Sequence, residues 1–200
     1  MSELPQTTPT LKSHTGELTY CIVTPDNLDL LLAAQHQIWP QHGVDEDYLA
    51  KPEEPEDQSN VSWLVYQGEQ LVGLTGVFSF DPDEPGYDNG ESIWLDWFAI
   101  LPDYRGQHLG QQVLEDVIAY CRALGRFKYF RIDTTYTPGR PAVGLYDKIM
   151  PLRESYTAED TPEHSEHYLI YTISLDDTVA KPWNNQYLKL GSHSEGDVIC

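Results

Sequence analysis

Apolar and polar positions follow two rhythms along this chain, and the switches between them outline its elements. Glu17–Thr24 (ELTYCIVT) has the short, β-branched and aromatic character of a strand. Thr24-Pro25 then supplies an N-cap and a proline suited to a first helical turn. Leu28, Leu31, Leu32, Gln35, Ile38 and Trp39 follow at mostly apolar helical spacing, and Pro40 ends that helix. Val61–Gln67 and Gln70–Phe80 are strand-like runs joined by Gly68-Glu69, a compact hairpin signal. Glu91–Leu101 (ESIWLDWFAIL) predicts a long apolar strand ended by Pro102. The strongest periodicity comes next: Leu109, Val113, Leu114, Val117, Ile118, Cys121 and Leu124 trace one helical stripe, closed by Gly125. Phe127–Thr135 predicts a strand and Pro141–Met150 a short helix stopped by Pro151, with strands near 152–157 and 167–175. Loops are expected at 41–60, which holds at most a short helix, and at 81–90. The expected fold class is α/β: a mixed, mostly antiparallel central sheet of about seven strands with helices on both faces.

Length and composition narrow this picture. The 200 residues, 40% of them hydrophobic, make one domain with its own core. We expect a flexible N-terminal arm over 1–15, a domain over 16–175 and a C-terminal extension over 176–200. No apolar run is long enough to span a bilayer, and the first residues lack a basic-then-apolar leader. Cys21, Cys121 and Cys200 are too far apart for a disulfide scaffold or zinc ribbon and suit a reducing cytoplasm. The aromatic tail could strap a partner chain, which leaves a homodimer open. His164 and His167, with Glu163 and Glu166, form a weak metal motif without a clear third ligand, so no metal is expected.

The net charge of −20 argues against broad nucleic-acid or anionic-membrane surfaces. Its distribution is uneven: 105–153 carries +4 and the rest −24, with seven acids in each of 41–60, 81–103 and 154–177. A basic island suits an anionic ligand, and acidic surroundings suit a cationic second ligand. Solubility alone would also explain the acidic surface.

The chemistry concentrates at Leu101-Pro-Asp-Tyr-Arg-Gly-Gln-His-Leu-Gly110, where a strand ends, a glycine-bearing loop turns and a helix begins. First-turn amides lack intrahelical acceptors, and Arg105 adds a full charge, so the segment has the construction of a phosphate cradle. It matches neither the Walker loop nor the dinucleotide fingerprint. The plain alternative is a tight βα connection with an incidental arginine.

AILPDYRGQHLGQQVLEDV resembles motif A of the GCN5-related N-acetyltransferase superfamily, [QR]-x-x-G-x-[GA] after a strand. Arg105 takes its first position and Gly110 its last, while His108 stands where the middle glycine is expected. A second segment, Pro141–Met150, is similar to the family's N-x-x-A-x-x-L-Y-x-K-x-G-F through Ala142, Leu145, Tyr146 and Lys148. There Gly139 replaces the Asn, and Met150-Pro151 replace Gly-Phe. The resemblance implies acetyl-CoA as cosubstrate, with its pyrophosphate on the amides of Arg105, Gly106, Gln107, His108 and Gly110. The pantetheine arm would lie along the backbone of Phe98 and Ile100, where the fourth strand splays from the fifth. His108 fits if its backbone is right-handed helical. Arg140 and Lys148 could reach the cosubstrate's phosphates. Tyr146 falls on the general-acid position; the alternative is that it simply packs in the core.

Strand alternation places Trp94, Asp96, Phe98 and Ile100 on one face and Ile93, Leu95, Trp97 and Ala99 on the other. Asp96 is a lone carboxylate in an apolar strand, where partial burial raises its pKa and suits it to take an ammonium proton. Glu91 is the reserve base. The expected function is acetyl transfer to a primary amine, a small cationic acceptor. The alternatives are a non-catalytic acyl-CoA-binding regulatory module and a phosphate loop for another nucleotide.

Overall fold

The structure is a computed structural model and describes residues 10–40, 60–80, 90–136, 141–157, 167–185 and 192–193. The elements are β1 (Leu18–Ile22), α1 (Leu28–Ile38), β2 (Val61–Gln67), β3 (Gln70–Phe78), β4 (Ser92–Ile100), α2 (Leu109–Leu124), β5 (Tyr129–Thr135), α3 (Pro141–Ile149), β6 (Leu152–Thr157), β7 (His167–Ser174) and β8 (Ser192–His193). The sheet runs β1-β2-β3-β4-β5-β7-β6-β8. Its neighbours are antiparallel except β4 and β5, which are parallel. The expected α/β class, with a mixed and mostly antiparallel sheet flanked on both faces, is what the chain forms. The loops at 41–59 and 81–89, with His164 of the metal motif, fall outside the described residues.

Each helix stripe finds its face. Leu109, Val113, Leu114, Val117, Ile118 and Cys121 of α2 are buried in the main core with Trp63, Val65, Val77, Ile93 and Phe130. Gly125 ends α2 at φ 67, a left-handed cap that glycine adopts without strain. On the opposite face, Leu31 and Ala34 of α1 pack with Leu64, Leu74 and Leu101. This helix starts at Leu28 rather than at the expected Thr24-Pro25 cap. Asn27 takes over: its side-chain oxygen accepts from the Thr24 amide at 2.7 Å, closing a turn before the helix begins. Hairpin β2–β3 closes at Gly68 (φ 59) with Gln67 opposite Gln70, as the Gly68-Glu69 pair predicts.

Both ends of the domain are tied down. Leu11 is buried in the main core, and the His14 backbone amide donates to the buried Asp116 carboxylate at 2.8 Å. The last residues of the N-terminal arm are therefore docked on α2. At the other end Trp183 is fully buried against Trp94 (5.9 Å between rings) and Tyr156 (5.6 Å). The fully buried Glu154 accepts from the Trp183 amide (2.6 Å), the Asn184 amide (2.9 Å) and the Tyr156 hydroxyl (2.7 Å). Buried Arg131 donates to Ser92 Oγ (2.8 Å), Thr172 Oγ1 (2.6 Å) and the Lys181 carbonyl (3.2 Å). Buried charges persist only when such bonds replace lost hydration. The start of the C-terminal extension thus acts as a strap over β5, β6 and β7.

Candidate active site

The site begins where two parallel strands part. β4 and β5 pair through Ser92 with Tyr129, Ile93 with Phe130 and Trp94 with Arg131, and among the described residues the pairing stops there. Beyond it β4 stays on β3 alone, and that ladder contains a bulge. Leu74 faces Ala99 and Gly76 faces Asp96, so Trp97 and Phe98 together oppose Thr75. Trp97 takes φ 38, a value that costs a bulky side chain about 1–3 kcal/mol. Its ring meets Trp39, the residue that caps α1, edge-on at 5.3 Å, which helps hold it there.

The bulge overturns the expected alternation. Trp94, Asp96, Phe98 and Ile100 do not share a face. Phe98 and Ile100 pack into the main core with Ile93 and Leu95, whereas Trp97 joins the α1 side. Asp96 opposes Gly76 in the row of Leu74, and therefore stays on the α1 face. The backbone is re-aimed as well. The Leu101 amide donates to the Val72 carbonyl at 2.9 Å, so Ile100 turns its amide and carbonyl away from β3, and its carbonyl is met there by Arg105 Nε.

Below the gap lies the loop. Pro102–Tyr104 make a single 3-10 turn, Gly106 sits at φ 79 and His108 at φ 62, and the His108 carbonyl accepts the first helical bond from the Gln112 amide (3.2 Å). The amides of Leu109, Gly110 and Gln111 are left without acceptors inside α2. The expectation that His108 is right-handed fails: it caps the helix in the left-handed region, where glycine is at ease and a side chain costs roughly 1–2 kcal/mol. His108→Gly should accordingly raise the thermal midpoint by about 2–4 °C. Scanning calorimetry on both proteins checks this, and an unchanged or lower midpoint counts against it.

Arg105 does not stand free over the loop. Its Nε donates to the Ile100 carbonyl at 3.0 Å, tying the loop to the strand end and leaving the rest of the guanidinium exposed. Gln107 and His108 are exposed. A β-carbon placed on Gly110 would lie 3.5 Å from Leu145, 3.7 Å from Ile100 and 3.7 Å from Phe98, so α2, β4 and α3 converge here. From α3, buried Tyr146 brings its ring to 6.2 Å from Phe98 and 5.4 Å from Tyr171. The following residue, Asp147, is clamped by the Tyr171 hydroxyl (2.8 Å) and Arg153 Nη1 (3.1 Å), which fixes the helix on β6 and β7. Tyr146 is thus a core residue that neighbours Phe98 of β4.

Asp96 is half-buried, and its carboxyl is pushed up to about 7 by burial, with the Asp133 carboxylate adding to the effect and the Trp97 amide opposing it. Asp133 is raised as well, by burial, although one flank is open to solvent. The sequence reading missed Asp133; the signal was a second isolated carboxylate near the end of the neighbouring parallel strand. Glu91 lies five residues before Asp96, about 16 Å along the strand, and is paired with Lys128. Lys148 is exposed in the last turn of α3, and Arg140 falls outside the described residues.

The comparisons with known proteins bear on this geometry. The model of the acetyltransferase (GNAT) family matches residues 12–150. The chain belongs to the GNAT acetyltransferase family. No curated protein matches it. Among solved structures, a GNAT acetyltransferase from Streptococcus pneumoniae superposes with TM-score 0.62 at 16% identity, covering 80% of this chain and 100% of that one. A chimera of the spermidine N-acetyltransferase SpeG from Vibrio cholerae and hSSAT gives 0.61 at 14%, covering 80% and 96%. The yncA acetyltransferase of Salmonella typhimurium, with acetyl-CoA bound, gives 0.61 at 12%, covering 84% and 99%. At these identities the likeness establishes the GNAT fold. The family model covers both motifs, including the left-handed histidine where a GNAT glycine is expected. No described helix is long and apolar enough to cross a membrane.

Proposed function

We propose that the protein is an acetyl-CoA-dependent N-acetyltransferase of the cytoplasm that acts on the primary amine of a small cationic acceptor. The observation that carries this reading is the β4–β5 gap, with the outward-turned main chain of Ile100 on one side and the amides opening α2, which lack helical acceptors, below it. Fit favours the cosubstrate: Gly110 leaves an uncrowded floor between Phe98, Ile100 and Leu145, and amides without helical acceptors suit a pyrophosphate. The segment Arg105–Gly110 would hold the phosphates, and Phe98 and Ile100 the pantetheine amides. Bound there, acetyl-CoA supplies an acetyl thioester.

The chain's own residues then do three things. Asp96 takes the proton of the arriving ammonium, directly or through water, and so frees its lone pair for direct attack. Backbone donors at the gap orient the reacting carbonyl. Tyr146 gives its hydroxyl proton to the departing sulfur and regains one from the second proton the nitrogen sheds as the amide forms. The net charge of −20 favours a cationic acceptor.

The test is a panel of cationic, neutral and anionic amines with acetyl-CoA, read by thiol release across pH. Cationic amines should be preferred. The rate should climb as pH rises through about 7, because only ionised Asp96 accepts a proton. Acetyl-CoA binding without turnover on any amine would sink the catalytic reading, and equal rates across the panel would sink the charge argument.

A further inference from the structure

The last β4–β5 pair is Trp94 with Arg131, and two residues beyond it on the respective strands stand Asp96 and Asp133. Both side chains lie on the α1 face: Asp96 through its place opposite Gly76, and Asp133 because Phe130 and Ile132 fill the other side. Two carboxylates thus flank the mouth of the gap, one from each parting strand. A group that must approach that gap from the α1 face passes between them. On the same face the Gln35 side chain is fully buried with neither amide atom hydrogen-bonded, one turn before the Trp39 that meets Trp97. A buried amide without a partner marks a place where a polar ligand or water completes the structure.

We propose that Asp133 is a specificity-determining residue, the second anionic contact of the acceptor ammonium, facing Asp96 across the gap. This rests on the acetyltransferase reading and deepens it. A primary ammonium brings both a positive charge and donors for two carboxylates at once, whereas a hydroxyl has a single donor and an aromatic amine is uncharged near neutral pH. Asp133 also acts through Asp96: its charge disfavours ionisation there and keeps the base able to hold a proton near neutral pH.

The surroundings add little charge of their own. Among the described residues, β2 and β3 present Ser62 and Gly76, and α1 presents the neutral Gln35. Behind Asp133, Arg131 is engaged with Ser92, Thr172 and the Lys181 carbonyl. Glu154, on β6 beyond Ile170, is engaged with the strap.

The test uses the full chain and Asp133→Asn, Asp133→Glu and Asp96→Asn. Carboxyl-carbon NMR titrations, alone and with spermidine as the probe at physiological ionic strength, give a readout independent of turnover. We expect spermidine to shift both carboxyl signals and to bind about tenfold more weakly to Asp133→Asn. The Asp96 midpoint should fall in Asp133→Asn and stay up in Asp133→Glu. In kinetics, Asp133→Asn should raise KM for a cationic acceptor and move the acidic limb of the rate profile to lower pH. An Asp96 midpoint and spermidine affinity unchanged in Asp133→Asn would overturn the proposal, even if acetyl transfer is established. Spermidine held by the pair with no acetyl transfer to any amine would overturn the proposed function, and with it the role of Asp133 in acceptor choice, leaving only an ammonium-binding pair.

Discussion

Tyr146→Phe is expected to lower kcat for acetyl transfer by about 10²–10³-fold while leaving acetyl-CoA binding within twofold or so. The substitution removes one oxygen from a ring that otherwise keeps its neighbours. Phe98 and Tyr171 pack against the aromatic face, which phenylalanine reproduces. The Tyr171–Asp147–Arg153 clamp that fixes α3 involves no atom of Tyr146. What disappears is the hydroxyl proposed as proton donor, so the thiolate would have to leave unprotonated. Single-turnover thiol release, with calorimetry of acetyl-CoA binding on both proteins, checks the split. Equal turnover would return Tyr146 to a purely packing role, and loss of binding would mean the hydroxyl holds the fold.

Gly73→Ala should destabilise the fold by about 2–3 kcal/mol and lower the thermal midpoint by roughly 4–12 °C. A β-carbon on Gly73 would lie 2.6 Å from the Ala99 carbonyl oxygen and 3.0 Å from Ile100. The first of these is backbone, held in the β3–β4 ladder just past the bulge, and cannot swing aside as a side chain would. Relief comes only by prising β3 from β4 at the segment that turns the Ile100 main chain outward. Activity should therefore fall with stability. Gly144→Ala is the control, since a β-carbon there meets nothing within 4 Å and the site is mid-helix. Thermal melts of the three proteins decide it, and a Gly73→Ala midpoint equal to that of the parent would show that the strands yield at no cost.

Much of the architecture is legible in the chain because local chemistry and burial agree. The α2 stripe, the Gly68-Glu69 turn and the prolines that bound Trp39 and Met150 each have a single economical reading. The loop Arg105–Gly110 stands out because glycine, charge and a helix start concur in one stretch, whereas Tyr146 stands out only through the resemblance of Pro141–Met150 to a family motif.

What stays hidden depends on partners distant in sequence. The bulge at Trp97 falls in the apolar run Trp-Phe-Ala-Ile, where every register looks equally plausible; only pairing with Leu74 and Gly76 reveals it. The left-handed backbone of His108 is hinted at only by the glycine expected there in the family motif, because the histidine itself does not reveal a handedness that the closing loop imposes. Asp133 matters only once β5 is set beside β4, and parallel neighbours are joined by a long crossover that no short window spans. The docking of Leu11 and Trp183 likewise rests on surfaces assembled by the rest of the domain.

The extra residue in β4 has a wider result, because it behaves as a phase shifter within a single strand. Upstream of Trp97 the even-numbered Trp94 and Asp96 lie on the face covered by α1 and the C-terminal strap; downstream, the even-numbered Phe98 and Ile100 look toward α2 and α3. One continuous strand therefore serves two chambers that would otherwise compete for the same positions. Variation at 94 or 96 can retune one chamber without disturbing the floor of the other, and removing a single residue at 97 would merge them.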